Sequence, residues 1–322
     1  MLDEVLKVEL GGFKQKIHIV GDPNKPIMLF LHGGPGVANR HTITKGNSDL
    51  REDFMVVGWD QRGTGGSYWG VKKEDLTIDQ IAADANDLIE YLCKRFNKKK
   101  VFIVGGSWGS LLGTVVANRY PEHVAAYIGF GQFVDGPKNE ELSFKFSMEE
   151  AVKANDEKAI KDLEEVGPPV NGQYKGGYDG MLKQRNVMMK YGGYSKDSKK
   201  RNFSGGLVGP MLKSHEYTIA DILGIAIGHR VVLVKMWPEV GSCNLLELAP
   251  SQSVPYYILD GRLDNNTPAA LVEDYFAAID AKEKDLIWFE NSGHNPLADE
   301  PEAFKKVMKE KLLKIVEKEN LA

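Results

Sequence analysis

A serine flanked by glycines stands where an apolar run gives way to a helical pattern. The sequence GGSWG at residues 105–109 follows the run 101–104 and precedes the pattern 111–119. Small residues on both sides of a serine permit a sharp turn, which lifts the hydroxyl above a sheet and onto the N-terminus of the next helix. The pattern predicts Ser107 as a nucleophile.

A second glycine-rich loop follows another apolar run and predicts an anion site. The sequence HGGPG occupies residues 32–36, directly after the run 26–31. Charge that develops on a carbonyl oxygen needs at least two N–H donors. We assign these to the backbone of Gly34 and of Trp108, the residue after the nucleophile. His32 and Gly33 are expected to support this loop.

A serine nucleophile needs a base, and the base needs a carboxylate that fixes its tautomer. His294 follows Ser292-Gly293 after the run 285–289. Asp260 and Asp264 follow the run 254–259 and compete for the acid role. We prefer Asp264, because it lies past the strand end in a loop that can reach His294, whereas Asp260 is expected to cap the strand.

The periodicity of the chain predicts the elements that position these residues. Segments 5–10 and 14–20 alternate around Gly11-Gly12, which is typical of a hairpin. Thr77 and Gln80 form the capping pair of a helix with apolar residues at helical spacing. Further short apolar runs, typical of buried parallel strands, lie at 26–31, 54–59, 101–104 and 124–130. Alternating strands and helices predict a doubly wound, mostly parallel sheet with an N-terminal antiparallel hairpin.

The alternation of strands and helices stops between residues 136 and 250. This stretch contains helical patterns at 148–166 and 218–237 and no evident parallel-sheet strand. Strand and helix patterns resume with segments 254–259, 268–279, 285–289 and 301–318. The last strands have too few partners to form a sheet alone. We therefore predict one catalytic domain from residues 1–135 and 251–322, with an inserted, mainly helical cap at 136–250.

Composition and charge argue against several classes of partner. The 322 residues carry 41 Lys and Arg against 45 Asp and Glu, a net charge of −4. No overall basic field exists to attract nucleic acid. The longest apolar stretch, 219–234, is interrupted by charged residues and is too polar for a membrane span. The N-terminus lacks the features of a signal peptide. We expect a cytoplasmic protein, and the sequence leaves its oligomeric state open.

The two cysteines, Cys93 and Cys243, lie far apart in the sequence. We expect free thiols rather than a disulfide. We also expect no metal and no cofactor.

Together the motifs resemble the proline iminopeptidase branch of the α/β-hydrolase superfamily. The resemblance rests on HGGPG at 32–36, DQRGTGGS at 60–67, GGSWGS at 105–110, GRLD at 261–264 and SGH at 292–294. It implies the α/β-hydrolase fold and a triad of Ser107, Asp264 and His294, with Gly34 and Trp108 as oxyanion donors. It also implies that Asp60 and Arg62 brace the loop beside the oxyanion hole.

The resemblance weakens in the predicted cap. Aminopeptidases of this family bind the substrate amine through acidic cap residues, including a tryptophan-glutamate motif, and this chain has Trp237-Pro238-Glu239 instead. Glu239 is therefore a candidate for substrate binding. Aromatic residues that could line the pocket or pack the cap are Tyr174, Tyr178, Tyr191, Tyr194 and Phe203. Tyr191 and Tyr194 are the aromatic candidates for substrate contact.

Three functions remain open from the sequence. The resemblance favours an aminopeptidase that acts on a short peptide or small molecule, whereas the altered cap motif favours a carboxylesterase that acts on uncharged esters. A ligand receptor that kept the fold without the activity is the third, since fold alone does not imply function. Serine at position 107 argues against epoxide hydrolase chemistry, which needs a carboxylate there.

Overall fold

One mixed sheet organises the computed structural model, which describes residues 1–44, 47–195, 211–212 and 214–321. Within these residues the sheet has eight strands in the order β1-β2-β4-β3-β5-β6-β8-β10. The strands are β1 (Leu2–Leu10), β2 (Phe13–Gly21), β3 (Ile27–Leu31), β4 (Met55–Asp60), β5 (Val101–Gly106), β6 (Val124–Phe130), β8 (Tyr256–Gly261) and β10 (Lys284–Phe289). A separate pair joins β7 (Ser251–Gln252) to β9 (Asp280–Ala281). β1 pairs antiparallel with β2, and β2 with β4, whereas the other ladders are parallel.

Strand β3 is buried on both faces, and each of its five residues is apolar. Along β3, Ile27, Leu29 and Leu31 belong to the core on one face, and Met28 and Phe30 to the core on the other. This alternation is the two-residue period of a strand. Helices cover both faces, as the predicted doubly wound arrangement requires. The predicted fold class is confirmed.

The helices begin and end at recognisable signals. In chain order they are α1 (Arg40–Thr44), α2 (Ile78–Phe96), α3 (Trp108–Arg119), α4 (Gly136–Lys153), α5 (Glu157–Val166), α6 (Tyr178–Lys190), α7 (Ile219–Val240), α8 (Leu245–Leu248), α9 (Ala269–Ala278), α10 (Pro296–Asp299) and α11 (Pro301–Glu319). Thr77 caps α2 by accepting a hydrogen bond from Gln80 N–H, as its sequence predicts. Asn97, in the left-handed conformation, ends that helix.

Helices α4 to α8 lie between β6 and β8 in the sequence. The prediction of one helix over 148–166 is wrong: α4 ends at Lys153 and α5 begins at Glu157. The break has a local cause, since Asn155 has a positive φ and Asp156 caps α5 by accepting from Ala159 N–H. The prediction of a helix over 218–237 is close to the observed α7, which continues to Val240 through Pro238.

Helix α7 packs directly on the loop that follows β4. Gly224 and Gly228 lie one turn apart on α7, and a Cβ at either position would collide with the carbonyl oxygen of Gly65 or Gly63. At the start of α7, Asp221 accepts hydrogen bonds from Lys16 Nζ at 2.6 Å and Arg40 Nη2 at 3.5 Å. Close backbone contact and buried charge pairs thus attach this helix to the sheet.

The two remaining features that the sequence raised are the cysteines and the hydropathy of the helices. Cys93 and Cys243 are free, and burial raises the pKa of their thiols to about 11 and about 12. Thiolates are therefore scarce at neutral pH, so neither side chain is suited to nucleophilic chemistry. None of the helices in the described ranges combines the length and the hydropathy that crossing a membrane requires.

Candidate active site

Ser107 stands in a strained turn at the carboxyl end of β5. Its φ of 56° and ψ of −123° are uncommon for a residue with a side chain. The turn closes because Gly105 and Gly109 lack side chains: a Cβ on Gly105 would collide with Gly109 O, and one on Gly109 with Leu31 O. The Ser107 N–H donates to Phe130 O at 3.0 Å, which anchors the turn to β6. This geometry is the one predicted for an exposed nucleophile.

The loop at residues 32–36 lies against the same turn. A Cβ on Gly33 would sit 3.3 Å from Ser107 Cβ and 3.9 Å from Ser107 Oγ. Gly34 has a φ of 125°, a conformation that L side chains rarely adopt. Trp108 is the first residue of α3, and the first N–H groups of a helix have no acceptor within it. Trp108 directly follows Ser107, and Gly34 directly follows the glycine that packs against Ser107.

Asp264 and His294 form a buried pair in the loops after β8 and β10. Asp264 Oδ2 lies 2.8 Å from His294 Nδ1, and both side chains are almost fully buried. Asp264 Oδ1 accepts from the N–H groups of Asn266 and Thr267, and Oδ2 accepts from Thr267 Oγ1 at 2.6 Å. These donors fix the carboxylate, which in turn fixes the imidazole with Nδ1 protonated and Nε2 available as a base.

Two further contacts hold His294 from outside this pair. Asn266 Nδ2 lies 3.2 Å from His294 Nε2, the nitrogen a general base would use. The His294 N–H donates to Tyr194 O at 2.7 Å, and the Tyr194 ring lies 4.8 Å from the imidazole, centroid to centroid. Tyr194, predicted as a substrate contact, is thus brought to the candidate triad. Asn266 was not predicted, because one amide in a polar loop carries no sequence signal.

Asp260, the other candidate for the acid of the triad, is held by backbone hydrogen bonds. It accepts hydrogen bonds from the N–H groups of Gly131, Gln132 and Gly261 at 2.9–3.0 Å and is fully buried. Burial, reinforced by the charge of Asp264, raises the pKa of Asp260 to about 7. Its carboxyl group joins the start of the loop after β6 to the end of β8, which is the capping role expected for it.

Gln61 links the two loops that carry the candidate oxyanion donors. Its Nε2 donates to His32 O at 3.2 Å, and its Oε1 accepts from Trp108 Nε1 at 2.8 Å. Its N–H donates to His32 Nε2 at 3.3 Å, while His32 Nδ1 lies 2.8 Å from Gly33 O. Burial lowers the pKa of His32 to about 4, so the ring is neutral and can both donate and accept. These contacts join His32 to its own loop and to Gln61, a residue for which the sequence predicted no role.

Asp60 and Arg62, the neighbours of Gln61, fix the loop after β4. Asp60 accepts from Arg40 Nε and Gly66 N–H, both at 2.7 Å. Arg62 binds both carboxylate oxygens of Asp84 on α2, at 2.7 and 2.8 Å. The direct hydrogen bonds from this segment to residues 32–36 come from Gln61 and from Thr64, whose hydroxyl donates to Gly36 O at 3.0 Å.

The other predicted substrate residues make contacts elsewhere. Glu239 Oε2 accepts from Ile78 N–H at 3.2 Å, so it lies at the N-terminus of α2. The Tyr191 hydroxyl donates to Asp156 at 2.7 Å, and its ring packs on a small apolar cluster of α4, α5 and α6. Tyr174 and Tyr178 pack within a second such cluster. Phe203 lies outside the described residues.

A buried carboxylate that the sequence analysis did not single out lies close to the candidate triad. Glu140 on α4 accepts from Arg185 Nη2 at 2.5 Å and from Asn139 Nδ2 at 3.1 Å. The same Asn139 amide donates to Asn266 O at 2.9 Å, and Asn266 contacts His294. Glu140 Oε2 is buried and makes no hydrogen bond in the part of the chain that the structure describes. An oxygen of this kind can accept a hydrogen bond from a ligand.

Comparison with known proteins agrees with the fold and the geometry. A family model described as the alpha/beta hydrolase fold matches residues 26–164. A probable aminopeptidase of Bacillus subtilis, YbaC, is 29% identical over 301 residues, 92% of each chain. The proline iminopeptidase of Neisseria gonorrhoeae is 36% identical over 119 residues, 36% of each chain. A crystal structure of a proline iminopeptidase-related protein from Thermus thermophilus superposes with a TM-score of 0.67 at 18% identity, covering 98% of this chain and 99% of the other.

The sheet order, the turn at Ser107 and the family match define the fold: the chain has the α/β-hydrolase fold. The predicted resemblance to the proline iminopeptidase branch is confirmed by relatives that carry that name.

Proposed function

We propose that this hydrolase cleaves an acyl bond of a small substrate through a covalent acyl-enzyme on Ser107. The observation that carries the proposal is the 2.8 Å contact between Asp264 and His294, combined with the positive φ of Ser107 at the head of α3. A fixed carboxylate-imidazole pair and an accessible serine are the parts that acyl transfer to water requires, and Ser107 is partly exposed.

The proposed reaction uses each group in a distinct role. His294 Nε2 takes the proton of Ser107 Oγ as the oxygen attacks the substrate carbonyl, and returns it to the leaving group. Asp264 stabilises the imidazolium that forms. The N–H groups of Gly34 and Trp108 hold the oxyanion. Water then attacks the acyl-enzyme by the same steps. The Asn266 amide must yield its contact with Nε2 when Ser107 engages the base.

The substrate we propose is a short peptide or amino-acid derivative with a free N-terminus. The relatives named as aminopeptidases support this class. Glu140 supports it physically, because a protonated amine is the natural donor for a buried carboxylate oxygen that lacks a partner. Hydrogen bonds through Asn139 and Asn266 connect Glu140 to His294, which supports an amine site near the proposed base.

We also propose that residues 136–250 act as a cap over residues 1–135 and 251–322. Three contacts support this: Gly228 against the loop after β4, Asn139 with Asn266, and Tyr194 with His294. Substrate selection would then depend on residues of the cap. A cytoplasmic location stays a prediction of the sequence.

The test compares hydrolysis of amino-acid arylamides with free and with acetylated amines. We expect activity on the free-amine substrates, starting with proline, and its loss both on acetylation and in Ser107→Ala. Ser242→Ala, which removes a serine at the end of α7, is the matched control and should keep full activity. Activity retained by Ser107→Ala would overturn the mechanism.

An esterase is the second candidate, and the placement of Glu239 favours it. In the altered motif Trp237-Pro238-Glu239 the carboxylate accepts from Ile78 N–H and so serves α2. An esterase would hydrolyse short acyl esters without regard to a free amine. Equal activity on free and acetylated substrates would therefore select the esterase and reject Glu140 as an amine receptor. A receptor without activity would hydrolyse none of these substrates.

A further inference from the structure

Two histidines and an aspartate meet at the edge of the sheet where the N-terminal hairpin contacts the segment leading into α7. His18 Nε2 lies 2.6 Å from Asp3 Oδ1, and His215 Nε2 lies 3.3 Å from the same oxygen. The three donor atoms all lie within 4.8 Å of one another. None of these residues has a part in the proposed hydrolysis.

The sheet fixes two of these side chains on one face. Val5 pairs with His18 and Asp3 with Val20, so Asp3 and His18 are diagonal neighbours across β1 and β2. His18 is buried, with 1% of its side chain exposed. Asp3 and His215 are half exposed, at 51% and 60%, which leaves the group open to solvent on one side.

A second carboxylate stands behind the buried histidine. His18 Nδ1 lies 3.2 Å from Glu216 Oε2, which also accepts from the Thr44 hydroxyl at 3.2 Å. His18 Nδ1 is buried and makes no hydrogen bond among the described residues, so Glu216 lies near it without holding it. A ligating histidine is oriented and made more basic when its second nitrogen donates to a carboxylate, and a small shift of Glu216 would supply that contact.

We propose that Asp3, His18 and His215 bind a divalent transition-metal ion, of which Zn²⁺ is the best match. Two imidazole nitrogens and one carboxylate oxygen form a donor set that Zn²⁺ favours, with water in a fourth position. Bonds of about 2.0–2.2 Å place tetrahedral ligand atoms roughly 3.3 Å apart. The contact from His215 to Asp3 has this length. The contact from His18 to Asp3 is shorter, and rotation of the half-exposed Asp3 side chain would lengthen it.

Charge and position indicate what the ion would do. Asp3 and Glu216 place two carboxyl groups at the cluster, and a divalent cation can balance carboxylates gathered in this way. The ligands come from β1, β2 and the segment before α7, so the ion would join the N-terminal hairpin to the start of α7. The role is structural, and it is independent of the proposed hydrolase activity.

The test is titration of tag-free, chelator-treated protein with Zn²⁺, followed by calorimetry, and with Co²⁺, followed by visible absorption. We expect one ion per chain, with absorption bands of a low-coordinate Co²⁺ site. Asp3→Asn and His215→Ala should each weaken Zn²⁺ binding at least tenfold. Because both side chains are half exposed, neither variant should impair folding. His123→Ala removes another exposed histidine and is the matched control, with unchanged affinity.

Two results would overturn the proposal. One is the absence of a stoichiometric Zn²⁺ site in the wild-type protein, which would leave Asp3 as a hydrogen-bond partner of two histidines. The other is equal Zn²⁺ affinity in the wild type, Asp3→Asn and His215→Ala, which would place the bound ion elsewhere. A tenfold loss shared by both variants and absent from His123→Ala supports the site.

Discussion

The loops at the carboxyl ends of β3, β4 and β5 differ from the helices α4 to α8 between β6 and β8, here called the insert, in how their residues are specified. In the loops, backbone geometry dictates residue type: Gly105 and Gly109 are required by contacts that exclude a Cβ. In the insert, polar side chains such as Glu140 and Asn139 meet partners far away in the sequence. The residues proposed for the chemistry thus lie in local sequence motifs, whereas the contacts that would select a substrate depend on how distant segments pack.

The largest effect should come from the buried acid of the candidate triad. We expect Asp264→Asn to lower kcat about 10⁴-fold, because an amide in this position favours the wrong imidazole tautomer. Steady-state kinetics on the best substrate measure this. Asn265→Ala, at the adjacent residue, is the control and should stay near wild-type activity. A loss below tenfold in Asp264→Asn would remove Asp264 from the mechanism.

The next effect concerns the stability of the loop around His32. Burial lowers the pKa of His32 from 6.5 to about 4, so the unfolded chain takes up a proton at a higher pH than the folded one. Stability from this group is full above pH 6.5 and falls by up to roughly 3 kcal/mol as the pH drops to about 4.

Denaturant unfolding across pH 4 to 7 tests this loss. The curve for His32→Asn should be flatter than the wild-type curve in this window, while His123→Asn should follow the wild type. Parallel curves for wild type and His32→Asn would show that His32 is not the group responsible.

A smaller effect tests whether Gln61 positions the oxyanion donors. We expect Gln61→Leu to reduce kcat/KM about 10- to 100-fold, less than the ~10²–10³ lost with a whole donor. Gln252→Leu is the control, since Gln252 is equally buried but donates to Thr114 O. Both variants should lose about 1–3 kcal/mol of unfolding free energy. A loss of activity confined to Gln61→Leu therefore reports on the oxyanion donors rather than on stability. Equal activity in the two variants would make Gln61 purely structural.

The smallest effects compare two carboxylates of the insert. Glu140→Gln should raise KM for free-amine substrates about tenfold and leave kcat nearly unchanged, since it weakens a charge-assisted hydrogen bond worth about 1.5–3 kcal/mol. Glu239→Gln should leave KM unchanged and cost less than about 1 kcal/mol of stability, as loss of a helix N-terminal carboxylate does. The reverse pattern would assign the amine site to Glu239 and would strengthen the resemblance to the family.

The features that could be predicted from the sequence follow the same division. Buried parallel strands are mostly apolar, so β3 to β6 could be recognised from their apolar runs, and the turn at Ser107 could be found from its glycines. Gln61, Asn266 and Glu140 escaped because each acts through a partner that only the fold brings near. For Gln61 and Trp108 the separation is 47 residues. The break at Asn155 escaped because the apolar periodicity continues across it.

The central claim is that Ser107 is the nucleophile of an acyl-enzyme, and covalent labelling tests it most directly. A fluorophosphonate probe followed by intact-protein and peptide mass spectrometry should give one adduct per wild-type chain, located on Ser107, and none in Ser107→Ala. An unlabelled wild-type protein, or an adduct that persists in Ser107→Ala, would contradict the account.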